Sequence, residues 1–418
     1  MNGLRVLSTL AVLAVSAACA APADTTLTIS SSGVGAEARL LRRQLERFAA
    51  QHPDHRVELR TTPDASDQRH QLYVQWLNAH AADPDVLQLD IIWTPEFAAA
   101  GWILPLDRFD PKPDDFLAAA IVANRWNGQL FALPWFADVG MLYWRTDLLT
   151  APPATFAQLT ADAARAQREH GARYGFVWQG ARYEGLVTVF LEHLGGFGGQ
   201  ILDAHGNVVV DSDAAVDALR FMRDSLRGSD PVVPQAALAW QEEQTRFAFQ
   251  NGDAVLMRNW PYAAALLRDP QQSRVAGRFG VAAMPAGPGG MPTAALGGGQ
   301  LAINAFSQQP EQAYALVAFL TAPEQMLERA REVGQYPTRP AMYESAALAD
   351  ALTVAADEVR EVVQHAVPRP ATPVYAQLSE ILQVHLHRAL TGQQEPRPAL
   401  EEAARDMRDL LKRTGLAP

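Results

Sequence analysis

Cysteine is almost missing from this chain: Cys19 is the one copy among 418 residues. A lone thiol closes no intramolecular bridge, so the fold must hold without disulfides. Lys/Arg runs are missing too, and the formal net charge of −11 argues against nucleic acid as the main partner. Past the N-terminus no stretch is long and apolar enough to cross a bilayer. No Gly-x-x-x-x-Gly-Lys-Ser/Thr loop offers to cradle a phosphate, and the glycines at 195–199 and 297–299 lack the strand–helix context of a dinucleotide fingerprint. Gly-x-Ser-x-Gly, the mark of a nucleophile elbow, is absent. The ten histidines are scattered, and His385-x-His387 sends two rings to different faces of a helix. No metal and no other cofactor is expected. Neither an internal repeat nor a low-complexity tail occurs.

What is present reads as globular. About half the residues are apolar and both charge signs occur, and 418 residues exceed one small core, so two domains are expected. At the N-terminus Arg5 precedes an apolar run, residues 6–18, too short for a membrane span and suited to a secretory signal. Cleavage after Ala23 would make residues 1–23 the signal peptide. The other route is a lipoprotein signal ending before Cys19, although Ser16 stands where a lipobox has Leu. Both routes export the mature chain, which is expected to be soluble.

Residues 27–30 read as a first strand, and a helix starts near Glu37 with Leu41, Leu45 and Phe48 at helical spacing. Residues 57–60 form a second strand, 68–78 an amphipathic helix and 85–93 a third strand ending in a carboxylate and an aromatic. That alternation predicts an open, largely parallel α/β sheet, whose ligands sit beyond the carboxyl ends of strands, near Glu37, Asp90 and Trp93. Further on, Thr155 is expected to cap a helix over 156–169. A short helix ends at Asn251-Gly252, a buried strand follows over 254–257, and Asn259, Trp260 and Tyr262 are delivered into a turn around Pro261.

A repeated pairing of carboxylates with aromatics carries the chemistry. Asp90 goes with Trp93, Asp138 with Trp135 and Phe136, Glu184 with Trp178 and Tyr183, and Trp260 stands beside Tyr262. Pyranose C–H faces pack on aromatic rings, while a carboxylate accepts bonds from two neighbouring hydroxyls. Arg69 and Arg369 are candidate donors to sugar oxygens. Any one of these residues, taken singly, reads more simply as core or turn; the grouping is what points to carbohydrate.

Across essentially the whole mature chain the sequence resembles the extracellular solute-binding proteins of bacterial ABC importers, and among them the trehalose/maltose-binding proteins. The resemblance is carried by Leu-Gln-Leu-Asp90-Ile-Ile-Trp93, Ala-Gly-Trp102-Ile-Leu-Pro-Leu-Asp107, Ala-Leu-Pro134-Trp-Phe-Ala-Asp138-Val-Gly and Leu-Tyr143-Trp-Arg-Thr-Asp147. It continues in Gly-Phe-Val-Trp178-Gln-Gly-x-x-Tyr183-Glu184-Gly-Leu, Phe249-Gln-Asn-Gly-Asp-Ala, Asn259-Trp-Pro-Tyr262-Ala, Ala366-Val-Pro-Arg369-Pro and Tyr375-x-Gln-Leu-Ser-Glu. It implies a two-lobed periplasmic-binding-protein fold of the Venus-flytrap type, with sugar in the cleft between α/β lobes. The expected division is 24–140 plus 282–335 for one lobe and 141–281 plus 336–418 for the other, with hinges near 139–141, 280–283 and 335–338. Residue by residue it implies Glu37, Arg69, Asp90 and Asp138 on the first lobe, Trp260 and Tyr262 on the second, and Gly298 and Arg369 lining the cleft. Where relatives often carry an aromatic after Leu-Gly-Gly, this chain has Gly299 and Gln300. Stacking there is either missing or supplied elsewhere, with Trp135 as the candidate.

The expectation is therefore a monomeric binder of an α-linked disaccharide, of the maltose/trehalose class, that docks on permease subunits. The rival from another class is a secreted glycoside hydrolase with Asp90 and Asp138 as its carboxyl pair. A third reading keeps the fold and changes the cargo to a peptide, polyamine or iron complex.

Overall fold

The computed structural model describes residues 25–32, 35–63, 66–352 and 354–417. The expected export signal and Cys19 lie outside the described residues. Among the described residues twelve strands occur in chain order: β1 (Thr25–Ser32), β2 (His55–Thr62), β3 (Val86–Asp90), β4 (Arg125–Trp126), β5 (Gln129–Leu130), β6 (Ala132–Val139), β7 (Met141–Arg145), β8 (Tyr174–Val177), β9 (Ala254–Asn259), β10 (Phe279–Ala282), β11 (Ala294–Ile303) and β12 (Ala366–Val367). They build two principal sheets. The larger has the order β12-β11-β3-β1-β2, with β6 also paired to β11; the smaller runs β10-β7-β9-β8.

Alternation explains the first strands. Leu27 and Ile29 of β1 are fully buried against the helix Gly35–Gln51, whose Leu41, Leu45 and Phe48 face the same core. β1, β2 and β3 are parallel, as the strand–helix alternation predicts. The long β11 then departs from the expected pattern, because it runs antiparallel to both β3 and β6. Its register with β6 shifts between Gly299 and Gln300, a bulge that leaves Trp135 as the extra residue.

The helices Phe156–His170 and Glu242–Gln250 pack on the smaller sheet, and its core is shared with Glu184–Gly196 and Asp213–Arg227, on which the C-terminal helices Tyr375–Leu390 and Pro396–Arg413 pack. One part of the stretch from 336 onward, expected wholly with this sheet, lies elsewhere. Tyr336 bridges to Ala137 of β6, and β12 pairs in parallel with β11.

Gly140 alone separates β6 of the larger sheet from β7 of the smaller. A methyl group there would come within 1.7 Å of Glu192 Oε1, so glycine is required by close approach, not by an unusual backbone angle. Beside it Arg258 and Glu192 form an ion pair with no exposed side-chain surface. Arg258 Nε donates to Glu192 at 2.8 Å and its Nη1 to Gln179 at 3.1 Å. Glu192 also accepts from the backbone N–H of Ala295, at 3.3 Å, where the chain re-enters the larger sheet. Burial pushes the Glu192 carboxyl up while Arg258 pulls it back. Two crossings between the sheets thus rest on one buried charge pair.

Candidate functional site

A cavity of about 390 Å³ opens between the two sheets. From the larger sheet it receives Asp90 at the end of β3, Asp138 near the end of β6, and Gly297-Gly298 of β11, with Ser66 beside them. The facing wall carries Tyr183, Glu184, Glu242, Trp260 and Tyr262. Arg369, from the segment after β12, reaches in between.

Strand ends position the first wall. Gly298 has φ of +120°, and a Cβ there would lie 2.1 Å from the Phe136 carbonyl, so only glycine lets β11 pass this close to β6. Its neighbour Asp138 is half-buried. Burial, reinforced by the charges of Glu37 and Asp90 and opposed by Arg329, raises its carboxyl to about 7. Arg329 is itself buried, lies over the Trp135 ring at 3.9 Å, and is drawn down to about 10 by desolvation against the pull of Glu37 and Asp138.

Arg369 links the walls. Its Nη1 donates to Glu184 at 2.8 Å and its Nη2 to Asp90 at 3.1 Å. Burial works against its charge, and Asp90 and Glu184 together outweigh that, holding the guanidinium above its ordinary range. Glu184 also accepts from the Tyr375 hydroxyl at 2.7 Å and from Ser379. Both its oxygens are engaged by protein, which makes Glu184 the anchor of Arg369.

On the second wall β9 ends at Asn259, and Trp260 follows half-buried. Its indole lies against the Arg258 guanidinium, 4.0 Å from atom to ring centre, and its carbonyl accepts from Tyr143 at 2.7 Å. The indole N–H donates to Glu242 at 3.4 Å, and the Tyr262 hydroxyl donates to Glu243 at 2.7 Å. The ring is thus held on one face by a fully buried charge, and its outer edge packs beside Gly297, 3.5 Å from where a Cβ would stand.

Of the residues expected in the site, Asp90, Asp138, Tyr183, Glu184, Trp260, Tyr262, Gly298 and Arg369 line this one cavity. The others do not. Trp93 is not a strand end: β3 stops at Asp90, Asp90 Oδ1 accepts from Ile92 N–H, and Trp93 opens the helix Thr94–Ala99 with Pro95 in its first turn. Its ring packs in the core on Phe97, with Arg69 over it at 5.7 Å. Trp135 is 1 % exposed, so it offers no replacement stacking surface. Phe136 is buried against Gly299, and Gln300 is buried with its amide oxygen accepting from Asn124. Glu37 and Arg69 are not among the lining residues either. Sequence reasoning missed Glu242, Gln241, Ser66, Thr188 and Gly297, and the supporting Arg258, Glu192 and Arg329. Glu242 had a signal: Gln241 and Gln244 form a capping box that opens the helix Glu242–Gln250. Among the described residues no group of three or more His, Cys, Asp or Glu is placed to hold a metal ion.

Residues 34–327 match the profile of a family described as bacterial extracellular solute-binding protein. The chain is 37 % identical over 360 residues to a probable ABC transporter-binding protein of Deinococcus radiodurans, covering 82 % of this chain and 84 % of that one. It is 42 % identical to the maltose-bound MalE3 of T. maritima, with a TM-score of 0.85 over 92 % of this chain and all of that one. An ABC transporter solute-binding protein of Thermotoga lettingae, bound with alpha-D-tagatose, is 25 % identical with a TM-score of 0.81 over 92 % and 99 % of the two chains.

Proposed function

Because this chain belongs to the bacterial extracellular solute-binding proteins, we propose that it captures an α-linked disaccharide, of the maltose/trehalose class, and hands it to the membrane subunits of an ABC importer. The observation that carries this reading is that Trp260, Asp90, Asp138 and Gly297-Gly298 line one cavity together. One pyranose stacks on the indole, and its hydroxyls donate to Asp90 and Asp138 from the opposite wall. The cavity's volume is near the lower end of the ~300–1,000 Å³ span of ligand sites, which suits one or two sugar rings. The 42 % identical relative was solved with maltose, which supports the two-ring choice. A relative holding a single ketohexose supports the smaller one.

The work is a conformational equilibrium. Sugar touches both walls only when they approach, so binding shifts the population toward the closed form. The lobes of this reading are 24–140 plus 282–335 and 141–281 plus most of 336–418, with Gly140 at the shortest crossing. Export through residues 1–23, with or without a lipid on Cys19, fits the same role, as does action as a monomer. A hydrolase is the second reading: Asp90 and Asp138 border the same cavity, and burial raises the Asp138 carboxyl toward the range of a general acid. A thermal-shift screen over maltose, trehalose, maltotriose, tagatose and mannitol tests the proposal, since a ligand of the folded form alone raises Tm. Maltose or trehalose should give the largest rise; a response to none of them would overturn it.

A further inference from the structure

Three carboxylates lie on or beside the second wall, and they differ in how much of their accepting capacity is in use. Glu184 is fully engaged by Arg369, Tyr375 and Ser379. Glu243 is taken by Arg246 and by the Tyr262 hydroxyl. Glu242 is different. It is half-buried, it lines the cavity, and its side chain has one partner among the described residues, the Trp260 indole N–H at 3.4 Å. An ionised carboxylate has about four acceptor positions, so most of those on Glu242 are open.

Tyr183 supplies the complementary group. Its hydroxyl is buried and borders the same cavity, and the Glu242 carboxylate beside it is its nearest acceptor, although among the described residues no hydrogen bond of good geometry is formed. The ring is held close over Gly185, where a Cβ would meet its oxygen at 2.2 Å. Burial, with the charge of Glu242 beside it, pushes this phenol well above its ordinary range, so it stays a donor. A phenol poorly paired with the carboxylate beside it costs stability, and the acceptor positions that Glu242 keeps open let a ligand hydroxyl insert between or beside the two.

Glu242 is also preorganised. Its carbonyl accepts from Asn259 Nδ2 at 3.1 Å, which ties the start of its helix to the end of β9, next to Trp260. The capping box at Gln241 fixes the same turn from the other side.

Resting on the sugar-binding reading above, we propose that Glu242 and Tyr183 are the specificity-determining pair of the second wall, gripping neighbouring hydroxyls at the edge of the ring stacked on Trp260. Glu242 accepts from one hydroxyl or from two adjacent ones, and the Tyr183 phenol donates to a sugar oxygen. Stacking alone tolerates any pyranose. An open carboxylate anchored at the rim of the platform demands a hydroxyl at a defined ring position and rejects the deoxy sugar. The second wall therefore selects as well as stacks.

Calorimetric titration of the parent, Glu242→Gln and Tyr183→Phe tests this, with the disaccharide the parent binds best and its set of monodeoxy analogues. Both variants keep their shape, and melting temperatures near the parent's will show that they fold. Glu242→Gln should lose about tenfold or more in affinity for the intact sugar, the usual worth of a charge-assisted bond. At least one monodeoxy analogue should show a clearly smaller gap between parent and variant than the intact sugar does, because a hydroxyl that Glu242 recognises is gone from it. Tyr183→Phe should show a smaller loss that the same treatment cancels at another position or at the same one. Parental affinity in Glu242→Gln overturns the proposal. So does a loss that is equal for the intact sugar and every deoxy analogue, which would mean that Glu242 acts only by holding the indole. A parent that binds no sugar in the panel brings down the underlying reading, and this inference with it.

Discussion

Protonating Asp138 should weaken sugar binding, in a pH range where few other carboxylates change. Its carboxyl is lifted to about 7 by burial and by the charges of Glu37 and Asp90, while Arg329 restrains the rise. The ionised form accepts charge-assisted bonds on both oxygens, while the protonated form accepts weaker, neutral ones and must spend one oxygen as a donor. With a value near 7, the ionised share is about nine-tenths at pH 8, about one-tenth at pH 6 and about one-hundredth at pH 5. Affinity should therefore fall close to tenfold per pH unit below about 6.5, until the protonated carboxyl's residual binding sets a floor. Buried His193 does not confuse the reading, because desolvation takes it down to about 4. Binding at pH 6 should release a proton, visible as a dependence of calorimetric enthalpy on the buffer's ionisation heat. Asp138→Asn should bind about tenfold more weakly than the parent at pH 8 and lose most of the pH dependence. The same shift has a consequence without ligand: the folded state holds a proton that the unfolded chain releases, so this group's contribution to stability is present below about pH 4 and lost as pH rises through about 7. Equal affinity at pH 5.5 and 8 with no proton release would refute the argument.

Trp260→Ala should cost at least tenfold in affinity, since an aromatic anchor in a site is worth roughly 2–4 kcal/mol; Trp102→Ala, which removes an edge contact with Phe97 away from the cavity, should lower Tm and leave affinity nearly intact in calorimetric titration. Arg258→Met strips Glu192 of its guanidinium partner in full burial, so chemical denaturation should show a loss of about 3–5 kcal/mol; a loss under about 1 kcal/mol would mean that protonation of Glu192, water or another group compensates. Small-angle scattering should give a smaller radius of gyration with saturating sugar than without, and an unchanged profile with sugar demonstrably bound would contradict closure about Gly140.

The sequence carried the local information well wherever side-chain period and capping decide. The Thr155 cap stands as read, with Thr155 Oγ1 accepting from Gln158 N–H at 3.1 Å, and the helix it opens runs Phe156–His170. The strand at Ala254 delivers Trp260 as the pattern implied, extending two residues further to Asn259. What it could not carry was orientation of residues inside continuous apolar stretches. In β6 nearly every residue is buried, and the bulge opposite Gly299-Gln300 decides which ring goes where. No alternation marks that bulge, and so Trp135 and Phe136 looked like ligand platforms while packing as core. Trp93 misled for a related reason: the apolar run hid the end of β3, although Pro95 marked it. Glu184 shows a third limit. Its type suits sugar binding, yet its partners Tyr375 and Ser379 come from nearly two hundred residues away, and only folding reveals that its capacity is spent.

The central claim is that this protein binds an α-linked disaccharide and leaves it unchanged. The most direct measurement is one calorimetric titration of the purified protein with maltose and with trehalose, followed by analysis of the sugar recovered from the cell. One site per chain is expected for at least one of the two, with the disaccharide recovered intact. Free glucose accumulating in proportion to protein concentration, or no heat of binding with either sugar, would contradict it.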